Sequence, residues 1–374
     1  MGLFSRKRTT RAIAAAAAIA LTAGLAACAG SGAGESSSEG EGGDTGPLKI
    51  GLSTVAPSLG QSYYSSIPQY LGYWDDAGLE LDVKRFNGSG EVMTAAATGQ
   101  IDIGHGGNFS IMAAHENGGA DIQAFMQDIP GNPYFPLVLQ DSPIQTLKDL
   151  EGKTLGIFST ASDANEMLIG IMTQQGMDPN SVNIVETGNG PTAAEALQSG
   201  KIDGWMAYDS GAGMLSTLGI DWRPIDEDLF SGYRPGSAVV ASPATIESKR
   251  EELVAYGQGI AKAMIFAKEN PEAAVQIHWD VFPDAKPAGV EDAEALELGV
   301  VELAARTDNV FPVEDLWGNV TEEDFAEYVK VFVEAGVLGS ELPVDEIWTD
   351  ELIEDINDFD HDEIVEQARN FTFE

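Results

Sequence analysis

The chain has a single cysteine, Cys28, among 374 residues, which leaves no partner for an intrachain disulfide and no thiolate cluster for a structural metal. Its four histidines, His105, His115, His278 and His361, are scattered without metal-ligand spacing. There is no G-x-S-x-G elbow, P-loop or H-E-x-x-H, so no catalytic set, metal or cofactor is expected and the chain is not read as an enzyme. Basic residues are few: 20 Lys and Arg against 60 Asp and Glu give a formal charge of −40. Nucleic acid and anionic lipid surfaces require a basic footprint, and both are disfavoured as partners. Solubility, with adaptation to salty or acidic surroundings, accounts for the acid.

Long hydrophobic runs are missing as well. The one candidate, Ala12 to Ala27, is Ala-rich, follows Arg6, Lys7, Arg8 and Arg11, and leads into Gly, Ser and acids rather than a basic stop-transfer flank. Residues 1–27 are therefore expected to be a cleaved export signal, and removing those four basic residues takes the charge from −40 to −44. Leu25-Ala26-Ala27-Cys28 resembles the bacterial lipobox, which implies that Cys28 becomes a lipidated N-terminus. Each buried CH₂ contributes about 0.8 kcal/mol, so two or three acyl chains anchor firmly where one does not. Residues 28–46 then hold the lipidated cysteine and a Gly/Ser/acidic tether whose r.m.s. span is roughly 23 Å.

From Leu48 to about Ala241, short apolar segments alternate with helical patterns, the signature of an α/β fold with mostly parallel strands. One of the helical patterns covers Tyr63–Asp76, and beyond Ser242 the chain becomes almost wholly helical. An internal repeat is the most informative feature. Leu81–Asp102 aligns without a gap with Val182–Asp203: a strand, a Gly-rich turn, an Ala-rich helix, a small hydroxyl residue with Gly, then Ile-Asp opening the next strand. Two lobes of like topology are implied, with their strand carboxyl ends and helix N-termini around one cleft. Residues 47–137 and 239–374 are expected to form lobe one and residues 138–238 lobe two, with the crossings near Pro136–Gln140 and Ser237–Ser242 serving as a hinge.

Tyr70-Leu71-Gly72-Tyr73-Trp74-Asp75-Asp76-Ala77-Gly78-Leu79-Glu80-Leu81, the segment Ala97–Gly104, and Ile144–Leu155 together resemble the nitrate/sulfonate/taurine-type substrate-binding proteins of ABC importers. That resemblance implies the two-lobed periplasmic binding protein fold (type II), with a helical C-terminal part. It also implies an exported, membrane-anchored protein, monomeric, that captures a small organic molecule (a sulfonate, carboxylate or heterocyclic vitamin precursor). Its partners would then be an ABC permease and its ATPase. A lipoprotein that senses the same ligand and presents its closed form to a signalling receptor is the alternative.

Carried over by position, the loop after the first strand contributes Ser53, Thr54, Gln61, Ser62 and Tyr63 to the ligand site. Ser89 and its repeat partner Asn189 each stand where a helix begins, with free N–H groups and the positive dipole end. Asn108 and Phe109 follow the third strand, and Ser159, Thr160 and Ser162 open the corresponding helix of lobe two. Tyr134, Trp205 and Tyr208 complete the set as aromatics at strand ends and crossings. For most of these a cap or core role competes with binding. Arg85 and Arg234 are expected to pair at the acidic surface, and His105 to be a hydrogen-bonded interior histidine.

Overall fold

In the first strand, β1 (Leu48–Leu52), Leu48, Ile50 and Leu52 share one buried face, and Gly51 on the other face lies close to Ile101 and Val92, so the strand is covered on both sides. The chain continues through a 3₁₀ turn (Leu59–Tyr64), α1 (Ser66–Tyr70), β2 (Leu81–Arg85), α2 (Ser89–Ala97), β3 (Ile103–Gly107), α3 (Asn108–Gly118) and β4 (Gln123–Ile129). A second series follows: β5 (Tyr134–Leu139), β6 (Thr154–Ile157), α4 (Asp163–Gln174), β7 (Asn183–Glu186), α5 (Pro191–Gln198), β8 (Gly204–Tyr208), α6 (Asp209–Thr217) and β9 (Trp222–Pro224). After α7 (Glu227–Ser231), strand β10 (Ser237–Ala241) precedes α8 (Pro243–Ser248), α9 (Arg250–Glu269), α10 (Pro271–Val281), α11 (Asp292–Thr307) and α12 (Glu322–Glu334). This computed structural model describes residues 46–373; the signal-like segment, Cys28 and all but the last residue of the tether lie outside the described residues.

Two five-stranded sheets result, in the orders β2-β1-β3-β10-β4 and β7-β6-β8-β5-β9. In each, the first three strands are parallel, and the fourth, β10 or β5, runs antiparallel because it enters from the other lobe. The Ile-Asp pair of the repeat has one physical job in both copies. Asp102 Oδ2 accepts the Lys49 N–H at 2.8 Å, and Asp203 Oδ2 accepts the Thr154 N–H at 2.8 Å. Each carboxylate ties the loop before one strand to the start of its neighbour, while Ile101 and Ile202 are buried beneath.

Three expectations need correction. Strand β5 lies wholly in the second sheet and β10 wholly in the first, so the chain crosses at residues 130–133 and again before Ser237. Boundaries at 137/138 and 238/239 would cut through strands. A continuous helix over Tyr63–Asp76 is replaced by the 3₁₀ turn and the short α1, because Pro68 withholds an N–H and Gly72 turns the chain at φ 75°. Finally, the C-terminal helices do not complete lobe one alone. α9 and α10 cover the first sheet, burying Leu253, Tyr256, Ile260 and Ile277 with Ile50 and Leu52. α11 instead also lies against α6, where a Cβ on Gly213 would stand 2.8 Å from Glu302 Cα. α12 packs on α4 and α3, with Phe332 and Phe109 ring centroids 4.9 Å apart. One apolar core therefore runs from Val92 and Met112 through Met167 and Ile171 to Phe325.

Candidate functional site

Between the sheets lies a cavity of about 70 Å³. Most of its lining comes from the edge where β1, β3, β6 and β8 end and where the antiparallel β5 and β10 begin, joined by Ile129 at the end of β4 and a residue of α11. The first lobe supplies Ser53, Thr54, Ser58, Gln61 and Tyr64 after β1, Gly88 and Ser89 at the start of α2, and Gly107 at the end of β3. The second lobe and the crossings supply Tyr134, Phe158, Ser162, Tyr208, Ser210 and Ser237.

The lobes touch across this edge. Gly88 has φ 116° and approaches Ala161 so closely that a Cβ would stand 2.8 Å from the Ala161 carbonyl oxygen. Asp163, at the start of α4, is buried against α3, where its carboxylate accepts the Ser110 N–H at 3.2 Å and the Ser110 hydroxyl at 2.5 Å. Burial raises the Asp163 pKa to about 6, with the Ser110 bonds working the other way.

Among the described residues, Arg306 is the one charged side chain that lines the cavity. It comes from α11 and is 7% exposed. Its Nη2 lies 2.6 Å from Asp209 Oδ1 and 3.4 Å from the Ser210 hydroxyl, and Asn309 Nδ2 donates to Asp209 Oδ2 at 3.0 Å. Burial works most strongly against the Arg306 charge, but Asp209, Tyr63, Tyr64 and Asp128 together outweigh it and raise the pKa. Arg306 Nε is buried with no hydrogen-bond partner among the described residues. A ligand oxygen there would complete the guanidinium's set of donors.

Of the residues singled out by sequence, Ser53, Thr54, Gln61, Ser89, Tyr134, Ser162 and Tyr208 line the cavity. Several also serve the scaffold: Ser89 Oγ accepts the Gly107 N–H at 3.0 Å, and Ser162 caps α4 by accepting the Ala164 N–H. Tyr208 accepts a bond from Asn189 Nδ2 at 2.8 Å, and burial raises its pKa to about 12. Asn189 thus stands behind Tyr208 and does not line the cavity.

The remaining candidates are placed elsewhere. Tyr63 is fully buried, its hydroxyl donating to the Asp128 carbonyl at 3.2 Å, and the neighbouring Ser62 is buried too. Asn108 is a clip, its Nδ2 donating to Gln127 Oε1 at 2.8 Å and to the Pro235 carbonyl at 3.1 Å. Phe109 packs on Phe332, and Trp205 lies in the core between β8 and α6. Thr160 turns outward to Glu186, its hydroxyl donating to Oε1 at 2.7 Å. Ser159 reaches across to the Asn87 carbonyl at 3.5 Å and does not line the cavity. His105 lies inside the first lobe, with Nδ1 2.9 Å from Asp128 Oδ2 and Nε2 2.9 Å from the Tyr256 hydroxyl. Arg306 was missed, and no local motif around it could have marked it. Arg234 does pair at the surface, 3.7 Å from Asp324.

The family model described as NMT1/THI5 like matches residues 66–274. Among solved structures, the alkanesulfonate-binding protein SsuA from Xanthomonas axonopodis pv. citri, bound to MOPS, aligns with a TM-score of 0.62 and 18% identity, over 81% of this chain and 98% of that one. The periplasmic aliphatic sulphonate binding protein SsuA from Escherichia coli gives 0.59 and 19%, over 81% and 97%. The desulfurization enzyme DSZB gives 0.51 and 15%, over 83% and 98%. No curated protein matches the sequence. At these identities the likeness establishes the periplasmic binding protein-like fold, which binding proteins and an enzyme share.

Proposed function

Because this chain belongs to the NMT1/THI5-like family, we propose that it is the solute-binding component of an ABC importer and closes its cleft on a small organic anion, a sulfonate or carboxylate. The observation that carries this reading is the Arg306 guanidinium, set among hydroxyls in the wall of a cavity that both lobes enclose. Its partner Asp209 keeps it charged in the absence of ligand, and its buried Nε awaits an acceptor. Most of the lining side chains carry hydrogen-bond donors or acceptors, suited to holding a ligand, beside the apolar Ile129, Pro133 and Phe158.

On this reading, residues 1–27 direct export, Cys28 carries the lipid, and the tether lets the folded part reach a permease, which recognises the closed form. The protein acts as a monomer. The names of the two sulfonate-binding neighbours support the ligand class.

A thermal-shift and calorimetric screen of methanesulfonate, ethanesulfonate, taurine, acetate and propionate tests the proposal. At a hundredfold excess over Kd a true ligand adds about 2.7 kcal/mol to stability. At least one of these anions should raise Tm and compact the protein in solution scattering. If none does so and neutral compounds of the same size do, the anion assignment is wrong. Metabolic labelling with palmitate, lost in Cys28→Ser, tests the anchor.

A further inference from the structure

A second cavity, of about 620 Å³, opens on the first lobe alone. It lies within the range of small-molecule sites, roughly 300–1,000 Å³. Leu52, Leu81 and Val83 of β1 and β2 form one side, and Trp74, Tyr256 and Phe282 the other. The two larger aromatics are locked: Trp74 and Tyr256 stack with centroids 5.0 Å apart and planes 9° from parallel. Their polar ends are already taken, since Trp74 Nε1 donates to the Tyr256 carbonyl at 3.1 Å and the Tyr256 hydroxyl pairs with His105 Nε2 at 2.9 Å. What they offer the cavity is therefore apolar surface.

One end of the cavity is different. Arg85, the last residue of β2, lines it half-buried, with its guanidinium carbon 5.6 Å from the Phe282 ring centroid. Nη1 donates to Gln61 Oε1 at 3.3 Å and to the Thr54 carbonyl at 3.5 Å, both neutral acceptors. Among the described residues no carboxylate lies within 4.0 Å of it, although the chain carries 60 acids. Burial lowers its pKa, with no carboxylate nearby to offset the loss of solvation. The acids that do line the cavity, Asp75 and Glu80, belong to its other end. Glu80 precedes β2 and Arg85 ends it, so the two stand roughly 16 Å apart at 3.3 Å per residue.

We propose that this cavity is a second binding site, for an amphipathic carboxylate whose head group meets Arg85 and whose apolar chain runs along β2 toward Trp74 and Leu79. Charge complementarity sets the direction, because Asp75 and Glu80 repel an anion at the far end while Arg85 lacks one. Tyr64 lines both this cavity and the inter-lobe cleft, so the two sites share a wall. The proposal does not rest on the transport reading.

Calorimetric titration of the full chain with monomeric decanoate, and with decanol as the uncharged control, decides it. Decanoate should saturate one site. Arg85→Met should weaken decanoate at least tenfold and leave decanol unchanged. Val83→Glu, at a position 47% exposed where folding tolerates the change, should block both. Tyr208→Phe, on the far side of the cleft, should alter neither. Absence of saturable decanoate binding overturns the proposal, as does equal affinity in Arg85→Met and Val83→Glu. Loss of binding in Tyr208→Phe would place decanoate in the cleft and overturn it too. Failure of the short-anion screen leaves this result untouched.

Discussion

Arg306 Nη2 stands 2.6 Å from Asp209 Oδ1, and this buried pair joins α11 to the N-terminus of α6 in the wall of the cleft. A charge pair of this kind costs solvation that its mutual attraction only partly restores. On the proposed reading, it holds a charged guanidinium ready at a site where a ligand can take the remaining donors.

Arg306→Gln is expected to lose stability by about 3–5 kcal/mol, because it leaves Asp209 buried without its counter-charge. Arg306→Gln/Asp209→Asn should recover much of that loss. Affinity for the anionic ligand should remain reduced at least tenfold in the double variant, since the neutral pair restores packing but not charge. Chemical denaturation and calorimetry separate the two effects. Full affinity in the double variant would remove Arg306 from the binding account.

The architecture was legible where the chain repeats itself. Leu81–Asp102 and Val182–Asp203 fold alike because Asp102 and Asp203 each close the same backbone bond, a local requirement that leaves a local trace. The cleft edge was legible for the same reason: Ser53, Ser89, Ser162 and Tyr208 all follow strands or open helices. Arg306 was not, since it arrives from α11, far along the chain, and is selected by packing against α6. Asn108 and Trp205 show the converse. Asn108 opens α3 just after β3 and Trp205 lies within β8, yet both side chains turn inward, to Gln127 in one case and into the α6 core in the other.

Asn108→Ala therefore tests a stability claim. Removing an amide that satisfies Gln127 and the Pro235 carbonyl should cost about 1–3 kcal/mol, because those acceptors stay buried. Ligand affinity should stay within twofold of the parent. A large loss of affinity with no change in denaturation midpoint would return Asn108 to the binding surface.

Buried acids should make stability fall as pH rises. Burial raises Glu302 to about 7, against a bond from the Leu59 backbone, and Glu166 also to about 7. Asp163 stands at about 6 for the same reason. Ordinary carboxyl values lie near 4, so the contribution of these groups is fully present below about pH 4 and is lost as pH rises through 6 and 7. Tm should be higher at pH 5 than at pH 8. Glu302→Gln, which keeps an acceptor for Leu59 and removes the charge, should flatten that slope and gain roughly 1–3 kcal/mol at pH 8. An unchanged slope in the variant would mean that Glu302 is neutral, or hydrated, at both pH values.

Closure itself can be tested at Gly107, which ends β3 and faces the second lobe. Its φ is −69°, an ordinary value for any residue, so alanine introduces no backbone strain there. The added Cβ would instead collide with the Asp163 carboxylate, the group that accepts from Ser110 across the interface. Either Asp163 gives up those bonds or the lobes stay apart. Gly107→Ala should thus fold normally, scatter as a more open particle, and bind ligand at least tenfold more weakly, about 1.4 kcal/mol. Adding Asp163→Ala removes the obstruction and, although it sacrifices the Ser110 bonds, should bring the scattering profile back toward the compact form. If Gly107→Ala scatters like the parent and binds equally well, the approach of β3 to α4 is not what closes the cleft, and the coupling between lobe contact and ligand capture must lie elsewhere.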